Sequence, residues 1–401
     1  MSTPSTQNAP AVTDTGVTAW ADTPASTPAH VTHGMGYDRV EPDWAPLTDV
    51  EAAEVLDAVC GPGRTEVSWR SPRPLSAAAL VEHGGCTVFL KRHHVGVRSA
   101  AGLGEEHAFL RHLRSRGAPV VEVLGAHARD EWTYEVHAPG AGTDLYQDAL
   151  SWTPFTSAAH AHAAGAALAR FHLAAAGHQA PARSPQPLVS SWSVFAGPDP
   201  LAALDRYTAA RPALAEALEA APVRADTERF HLPFHDRLRP LLDQLEPLWT
   251  HNDWHASNLL WSLAPDGDPL DARVATVLDV GLSDRTTAMH DLALALERNV
   301  FGWLELPRTP DIPVRLDQLD ALLAGYTAHR PLSDAEAHAL PLMLTLVNAE
   351  YALTEMDYFH GITRSRANTA LARAYYTEHT AWFTTTQGHA VLQHLHRRLE
   401  V

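Results

Sequence analysis

The sequence predicts an α+β fold in two lobes, a small antiparallel sheet with one helix followed by a larger, mainly helical lobe. Short apolar runs separated by Gly and Pro turns fill the first third of the 401-residue chain, which is typical of antiparallel strands. Helical periodicity dominates beyond Gly140. Within that helical part we expect one short β-hairpin, formed by NLLWS and VATVLDVG and turning at APDGDP.

The first lobe is expected over residues 46–138 and the second over 139–401, after a disordered tail at 1–45 that is rich in Thr, Ser, Pro and Ala. Helical spacing from Leu47 to Val59 predicts a helix capped by Thr48 or Asp49. A Pro/Ser loop at Ser71–Ser76 separates the first two strands. The predicted strands are TEVSWR, LSAAALVE, CTVFLKR, APVVEVLGAH and EWTYEVHAP, and the predicted helices are EEHAFLRHLRSRG and HAHAAGAALARFHLAAAG.

Composition excludes several classes of protein. The formal charge of −17 repels the phosphate backbone, so we expect no nucleic-acid partner. The two cysteines, Cys60 and Cys86, form no Cys-x-x-Cys pair and no disulfide framework, which fits a reducing compartment. No apolar run approaches the roughly 18 residues of a membrane span, and the first residues lack the pattern of a secretory signal. We therefore expect a cytoplasmic protein without a membrane partner.

The segment LWTHNDWHASNLLW carries the strongest functional signal, with His251, Asp253 and Asn258 spaced as H-x-D-x-x-x-x-N. A carboxylate on a fixed loop, such as Asp253, can orient a hydroxyl group and accept its proton. Asn258 and Asp279 offer the hard oxygen ligands that Mg²⁺ prefers, and the hairpin between them would fold these positions together. Asp291 follows in HDLALALER.

Lys91 is the only lysine in the chain. An ammonium group is a compact point charge, and the strand CTVFLK would aim it into a cleft, where it could contact ATP phosphates. A buried lysine needs a carboxylate partner. Glu106 lies one turn before Leu110 on the following helix and suits this role better than Glu105.

These residues, in this order, resemble the aminoglycoside phosphotransferase and choline kinase superfamily, which has a kinase-like fold. The resemblance spans roughly residues 60–300 and implies an enzyme that uses ATP and Mg²⁺. The resemblance implies that Asp253 is the catalytic base or positioning carboxylate and that Asn258 and Asp279 hold Mg²⁺. It implies that Lys91 contacts the α- and β-phosphates and pairs with Glu106. It also implies that His251 braces the catalytic loop and that Asp291 holds the backbone of that loop.

The resemblance also implies a nucleotide-binding hinge. The stretch from Tyr134 to Ala138, which includes Glu135 and His137, stands where the family binds adenine, mainly through its backbone. Several features depart from the family pattern, including Trp254-His255 and Ala256-Ser257 in the segment after Asp253. Asn252 stands where the family usually has Gly, and the loop SPRPLS lacks the glycines of a phosphate clamp. No G-x-x-x-x-G-K-[ST] occurs, which argues against a P-loop kinase.

Several alternatives stay open. The acceptor hydroxyl could belong to a small molecule, such as an antibiotic, an amino alcohol or a sugar-like metabolite, or to a peptide Ser/Thr side chain. A catalytically silent pseudokinase that binds a partner is a further alternative. His251-x3-His255 with Asp279 could also be interpreted as a transition-metal hydrolase site.

We expect Glu350, Glu355 and Asp357 to form a solvated helix face rather than to line a cleft. We expect Trp254 and Trp261 to belong to the core rather than to a substrate-stacking surface.

Overall fold

The computed structural model describes residues 42–401 except positions 74, 220 and 264–272. The N-terminal region is a five-stranded antiparallel sheet in the order β1-β2-β3-β5-β4, ahead of a larger helical region. The predicted α+β fold is confirmed. The strands of this sheet are β1 (Thr65–Arg70), β2 (Ala77–His83), β3 (Cys86–His94), β4 (Val123–Arg129) and β5 (Trp132–His137).

One face of the sheet is covered by helix α1 (Asp49–Cys60), which has the predicted cap. The Thr48 side chain accepts a hydrogen bond from the Glu51 backbone, and the Glu51 carboxylate accepts one from the Thr48 backbone. Apolar side chains of α1 pack with those of β2, β3 and β5 in a small separate core. Burial of this surface holds the helix on the sheet.

The segment before α1 contacts the folded protein. Trp44 donates a hydrogen bond from Nε1 to the Leu75 carbonyl at 3.0 Å and stacks on His94. The Tyr358 hydroxyl donates to Asp43 at 2.8 Å. The last residues of the predicted tail are therefore packed, and its positions 1–41 lie outside the described residues.

Helix α2 (Ala100–Ser115) lies against the opposite face of the sheet. It begins five residues before the predicted start at Glu105, because Ser99 caps it through a hydrogen bond from the Gly102 backbone. Phe109, Leu110 and Leu113 enter the large core that the C-terminal helices share. Through these side chains α2 joins the sheet to the second region.

The C-terminal region is built mainly from helices. The most extensive contact in this region is between helices α3 (Ala158–Ala175) and α9 (Leu316–Thr327). Gly165 and Gly325 allow the two helix backbones to touch. A Cβ at Gly165 would lie 2.0 Å from the Leu322 carbonyl oxygen, so only glycine fits there. The helices are α3 (Ala158–Ala175), α4 (Pro200–Ala209), α5 (Pro212–Leu218), α6 (Val223–Asp226), α7 (Leu232–Leu238), α8 (Ala288–Val300), α9 (Leu316–Thr327), α10 (Asp334–Leu344), α11 (Val347–Tyr358), α12 (Arg366–Trp382) and α13 (Thr386–Leu399).

Two small sheets interrupt these helices. Strands β7 (Leu259–Ser262) and β8 (Arg273–Val277) form the predicted hairpin, whose turn APDGDP lies outside the described residues. Strands β6 (Pro247–Thr250) and β9 (Asp284–Thr287) pair as well. This second pair was not predicted, because strands of four residues are too short to show alternation. The loop between β6 and β7 is thereby anchored at both ends.

Trp254 and Trp261 are fully buried in the large core, as predicted. Across the part of the chain that the structure describes, the helices are too short or too polar to cross a membrane.

The prediction of a solvated face on α11 is wrong. Every residue of this helix is buried, including Glu350, Glu355 and Asp357. Glu350 accepts hydrogen bonds from the backbone N–H groups of Ser193 and Val194. Burial raises the pKa of Glu350 to about 7 and that of Glu355 to about 8.

Glu355 makes stability depend on pH. Its folded pKa of about 8 exceeds the ordinary value of 4.5, so the native state keeps a proton that the unfolded chain releases. Stability is therefore lost as pH rises between these two values. In Glu355→Gln we expect the free energy of unfolding to fall less steeply with rising pH than in the unaltered protein. The difference in slope should be up to about 1.4 kcal/mol per pH unit. Urea unfolding at several pH values measures it.

Glu378→Gln is the matched control, because Glu378 is exposed on α12. Its stability curve is expected to run parallel to that of the unaltered protein. If the stability of Glu355→Gln changed with pH as it does in the unaltered protein and in Glu378→Gln, Glu355 would not hold a proton in the native state.

Candidate active site

The loop between β6 and β7 is held by Asp291, in the first turn of α8. Its carboxylate accepts hydrogen bonds from the backbone N–H groups of His251 and Asn252, both at 2.8 Å, and from His172 of α3 at 2.9 Å. Burial alone would raise the pKa of Asp291, but these donors and nearby histidines hold it below its usual value. One buried anion therefore fixes the start of the loop.

Asn252 explains a departure from the family pattern. Its φ is 61°, in the left-handed region that favours glycine and that asparagine tolerates best among the other residues. Its side chain also stabilises the loop, because it accepts a hydrogen bond from Thr250 at 2.8 Å and donates one to the Ser190 carbonyl at 2.9 Å. Asparagine thus keeps the backbone conformation of a glycine and adds two hydrogen bonds.

His251 braces the loop against the segment after β8. Its Nε2 donates to the Leu278 carbonyl at 2.8 Å, and its Nδ1 accepts from the Asp253 backbone at 3.2 Å. A single neutral tautomer satisfies both contacts. Both ring nitrogens are thus engaged, so His251 cannot also bind a metal with His255 and Asp279, as the hydrolase alternative requires.

Asp253 is surrounded by groups that fix its orientation. The Asn258 side-chain amide donates to the Asp253 carbonyl and to its carboxylate Oδ2, both at 3.0 Å. Arg298 Nη1 lies 2.8 Å from Oδ1, and His255 Nε2 lies 3.6 Å from Oδ2. Burial alone would raise the pKa of Asp253, but Arg298 and His255 hold it far below the usual range.

Arg298 is a site residue that sequence reasoning missed. Its guanidinium lies 4.6 Å from the ring centre of Trp152 and 4.3 Å from that of Tyr351. Two aromatic faces favour this buried cation and limit its movement. The available signal was its spacing: Arg298 follows Asp291 by seven residues, about two helical turns, which places both on one face of α8.

Lys91 and Asp279 meet although 188 positions separate them in sequence. The Lys91 ammonium lies 3.0 Å from Asp279 Oδ2, and the Gly281 backbone donates to Oδ1 at 3.2 Å. The Asp279 side chain is 42% exposed and that of Lys91 13%, so the carboxylate faces the solvent-open side of the pair. Burial alone would lower the pKa of Lys91, but Asp279 together with Glu135 and Glu106 more than offsets this effect, and the pKa is raised.

Glu106 does not pair with Lys91, and this prediction is corrected. Its carboxylate lies 2.7 Å from Arg98 Nε and accepts a hydrogen bond from Arg183 at 2.7 Å. Both arginines are buried and also donate to the Gly281 carbonyl. Two guanidinium groups compensate the buried carboxylate, so Glu106 ties α2 to the segment that follows Asp279 rather than to β3.

Glu135 and His137 are not hinge residues, which corrects a second prediction. They lie in β5, whose backbone pairs with β3 on one side and β4 on the other. Residues 134–137 therefore have no free backbone edge for a base. The strand ends at His137, and the Ala138 N–H donates to the Glu122 carbonyl at 2.9 Å. Ala138 is therefore the one residue of the predicted stretch that lies outside β5.

The donor set fits a magnesium ion. The Asn258 amide nitrogen is directed at Asp253, which leaves its side-chain oxygen as a ligand atom. Asp279 offers an exposed carboxylate on the segment that His251 fixes to the loop. Amide and carboxylate oxygens are suitable ligands for Mg²⁺, which keeps further water ligands of its own.

Removal of the Asp291 carboxylate should destabilise the protein strongly. Asp291→Ala leaves two buried backbone N–H groups and His172 without their acceptor, and we expect a loss of about 3–5 kcal/mol in the free energy of unfolding. Urea unfolding at neutral pH measures it. Asp320→Ala removes a partly exposed carboxylate that pairs with His394, and this control should cost at most about 1 kcal/mol. Equal losses in the two variants would contradict the anchoring role.

The sequence model of the phosphotransferase enzyme family matches residues 76–332, more than half of the chain. A homoserine kinase from Nitrobacter hamburgensis is 30% identical over 210 residues, which cover 52% of this chain and 54% of that protein. The chain thus spans about half the length of this relative. An uncharacterized protein from Deinococcus radiodurans is 28% identical over 281 residues, 67% of this chain and 71% of that protein.

Similar solved structures are aminoglycoside phosphotransferases. An aminoglycoside-3'-phosphotransferase of type VIII has 20% sequence identity and a TM-score of 0.42, covering 70% of this chain and 92% of that one. An enzyme from Streptomyces rimosus, solved in complex with ADP and streptomycin, has 18% identity and a TM-score of 0.40, covering 74% of this chain and 99% of that one. The family match includes β3, α2, the β6–β7 loop and α8, and by this match the chain belongs to the phosphotransferase enzyme family.

Proposed function

We propose that this protein transfers the γ-phosphoryl group of ATP to a hydroxyl group of a small molecule. The observation that carries the proposal is the assembly of Lys91 and Asp279 beside the loop that bears Asp253 and Asn258. Family membership supports the same reaction class. In this proposal ATP binds between lobes 46–138 and 139–401, in the cytoplasm.

Asp253 is the proposed positioning carboxylate for the acceptor. Because Arg298 and His255 hold its pKa far below the usual range, it is ionised at neutral pH and is a weak base. Its main work is then to accept a hydrogen bond from the acceptor hydroxyl and aim the oxygen at the phosphorus. It receives the hydroxyl proton as the new P–O bond forms and the bond to ADP breaks.

The nucleotide side depends on Lys91, Asn258 and Asp279. The raised pKa of Lys91 keeps its ammonium charged at neutral pH, as a phosphate contact requires. Asn258 and Asp279 would hold Mg²⁺, which when bound neutralises charge on the phosphates. Lys91 would then exchange part of its contact with Asp279, which lies on the exposed side of the pair, for phosphate oxygens.

The acceptor is proposed as a small hydroxylated molecule, with hydroxy amino acids tested first. The homoserine kinase relative supports this order of testing, although the match covers about half of that protein. A negative net charge would also suit a cationic acceptor. Ser/Thr peptides are the alternative acceptor and enter the same assay.

ADP release from ATP with Mg²⁺, measured across homoserine, other amino alcohols, aminoglycosides, sugars, nucleosides and Ser/Thr peptides, tests the proposal. A small-molecule acceptor should stimulate release. Asp253→Asn should lower kcat by at least about 10²-fold while the KM for ATP changes little, because only the acceptor loses its positioning group. Near-normal turnover in Asp253→Asn would contradict the assigned role.

Asp130→Asn is the matched control for this substitution. Asp130 is exposed at the turn between β4 and β5 and has a φ of 52°, which asparagine tolerates. Its kcat should equal that of the unaltered protein. Silence with every acceptor while ATP still binds would favour the pseudokinase alternative over the proposal, and stimulation by peptides alone would favour a peptide kinase.

A further inference from the structure

We propose that His107, Glu135 and His137 form a binding site for one zinc ion, or a similar divalent transition metal, inside the N-terminal sheet-and-helix region. Its ligands are different residues from Asp253, Asn258 and Asp279, and it does not depend on the proposed phosphoryl transfer. In the described ranges, these three residues form a group whose ligand atoms all lie within 4.8 Å of one another.

The spacing of the ligand atoms is that of a tetrahedral site. His137 Nε2 lies 3.2 Å and His107 Nε2 lies 3.7 Å from Glu135 Oε2, and the two nitrogens are 3.5 Å apart. Metal–ligand bonds of about 2.0–2.1 Å at tetrahedral angles separate two ligand atoms by roughly 3.3–3.4 Å. One ion can therefore reach all three atoms with shifts of only a few tenths of an ångström.

The chemistry of the ligands selects the kind of metal. Two imidazoles and one carboxylate are a common zinc set, whereas Mg²⁺ and Ca²⁺ prefer oxygen ligands alone. His107, Glu135 and His137 are 3%, 6% and 7% exposed, so their ligand atoms are largely removed from competing bulk water. Three protein ligands leave a fourth position for water.

A further histidine orients the carboxylate. His93 Nε2 lies 2.9 Å from Glu135 Oε1, whereas the distances from His107 and His137 are to Oε2. A hydrogen bond donated to Oε1 leaves Oε2 directed at His107 and His137. Ligands of metal sites are commonly fixed by such outer hydrogen bonds. His93 is therefore a positioning residue in this site, not a ligand.

The ion would fasten α2 to the sheet. His107 belongs to α2, while Glu135 and His137 belong to β5, and Glu135 pairs with Lys91 across the β3–β5 ladder. His107 also follows Glu106, which is tied to Arg98 and Arg183. A metal here would set the distance between α2 and the strand beside Lys91.

A metal-free network of hydrogen bonds among the histidines and Glu135 is the competing account. The two accounts differ in what the purified protein does after dialysis against a chelator. With a site, Co²⁺ titration gives the intense visible absorption of a tetrahedral centre at one ion per chain, and Zn²⁺ displaces it. Zn²⁺ also raises the unfolding temperature, because it binds the native state. X-ray absorption at the zinc edge should show two imidazole ligands.

Variants locate the ion. His107→Gln and His137→Gln should weaken Zn²⁺ binding by at least about 100-fold, and His93→Gln by about 10–100-fold. His127→Gln is the matched control, because His127 lies on the neighbouring strand β4 and its ring contacts Tyr134, on the face that α1 covers. Its affinity should be unchanged.

Two results would overturn the proposal. One is a folded, unaltered protein that gives no tetrahedral Co²⁺ spectrum and no thermal shift with Zn²⁺. The other is unchanged affinity in both His107→Gln and His137→Gln, which would place the ion among other histidines. If these variants fail to fold by circular dichroism, the ligand types seen at the zinc edge of the unaltered protein decide the question. Fewer than two imidazoles there would also overturn it.

Discussion

The arrangement of the candidate active site depends on one buried anion, the carboxylate of Asp291. It accepts both backbone N–H groups at the start of the β6–β7 loop and a histidine of α3, so three elements meet at one side chain. Because Asn252 has a left-handed conformation directly after this anchor, the chain turns immediately before Asp253. His251 in turn donates a hydrogen bond to the Leu278 carbonyl, which fixes the loop to the residue before Asp279.

Helix α2 links the two regions through three different interactions. Its apolar side chains lie in the large C-terminal core, and Glu106 binds two arginines that also contact the segment after Asp279. His107 faces the sheet beside Glu135. Any movement of α2 would therefore disturb the neighbourhood of Lys91 and that of Asp279 together.

Much of the site was visible in the sequence, because its residues have fixed local spacing or lie beside a hairpin. His251, Asp253 and Asn258 have a fixed local spacing, and Asp279 follows the hairpin. The partners of Glu106 were not predictable, since Arg98 and Arg183 reach it through tertiary packing that local periodicity does not encode. The same holds for the burial of Glu355, because an acidic helix inside the core has the same local spacing as one at the surface.

The proposed function requires Asn258 and Asp279 to hold the metal through which the chain binds a nucleotide near Lys91. Calorimetric titration of a non-hydrolysable ATP analogue, with and without Mg²⁺, tests it most directly. The account predicts that Mg²⁺ tightens binding by at least about tenfold, or 1.4 kcal/mol, and that this gain disappears in Asp279→Asn. An equal gain in Asp279→Asn, or no nucleotide binding by the unaltered protein, would contradict it.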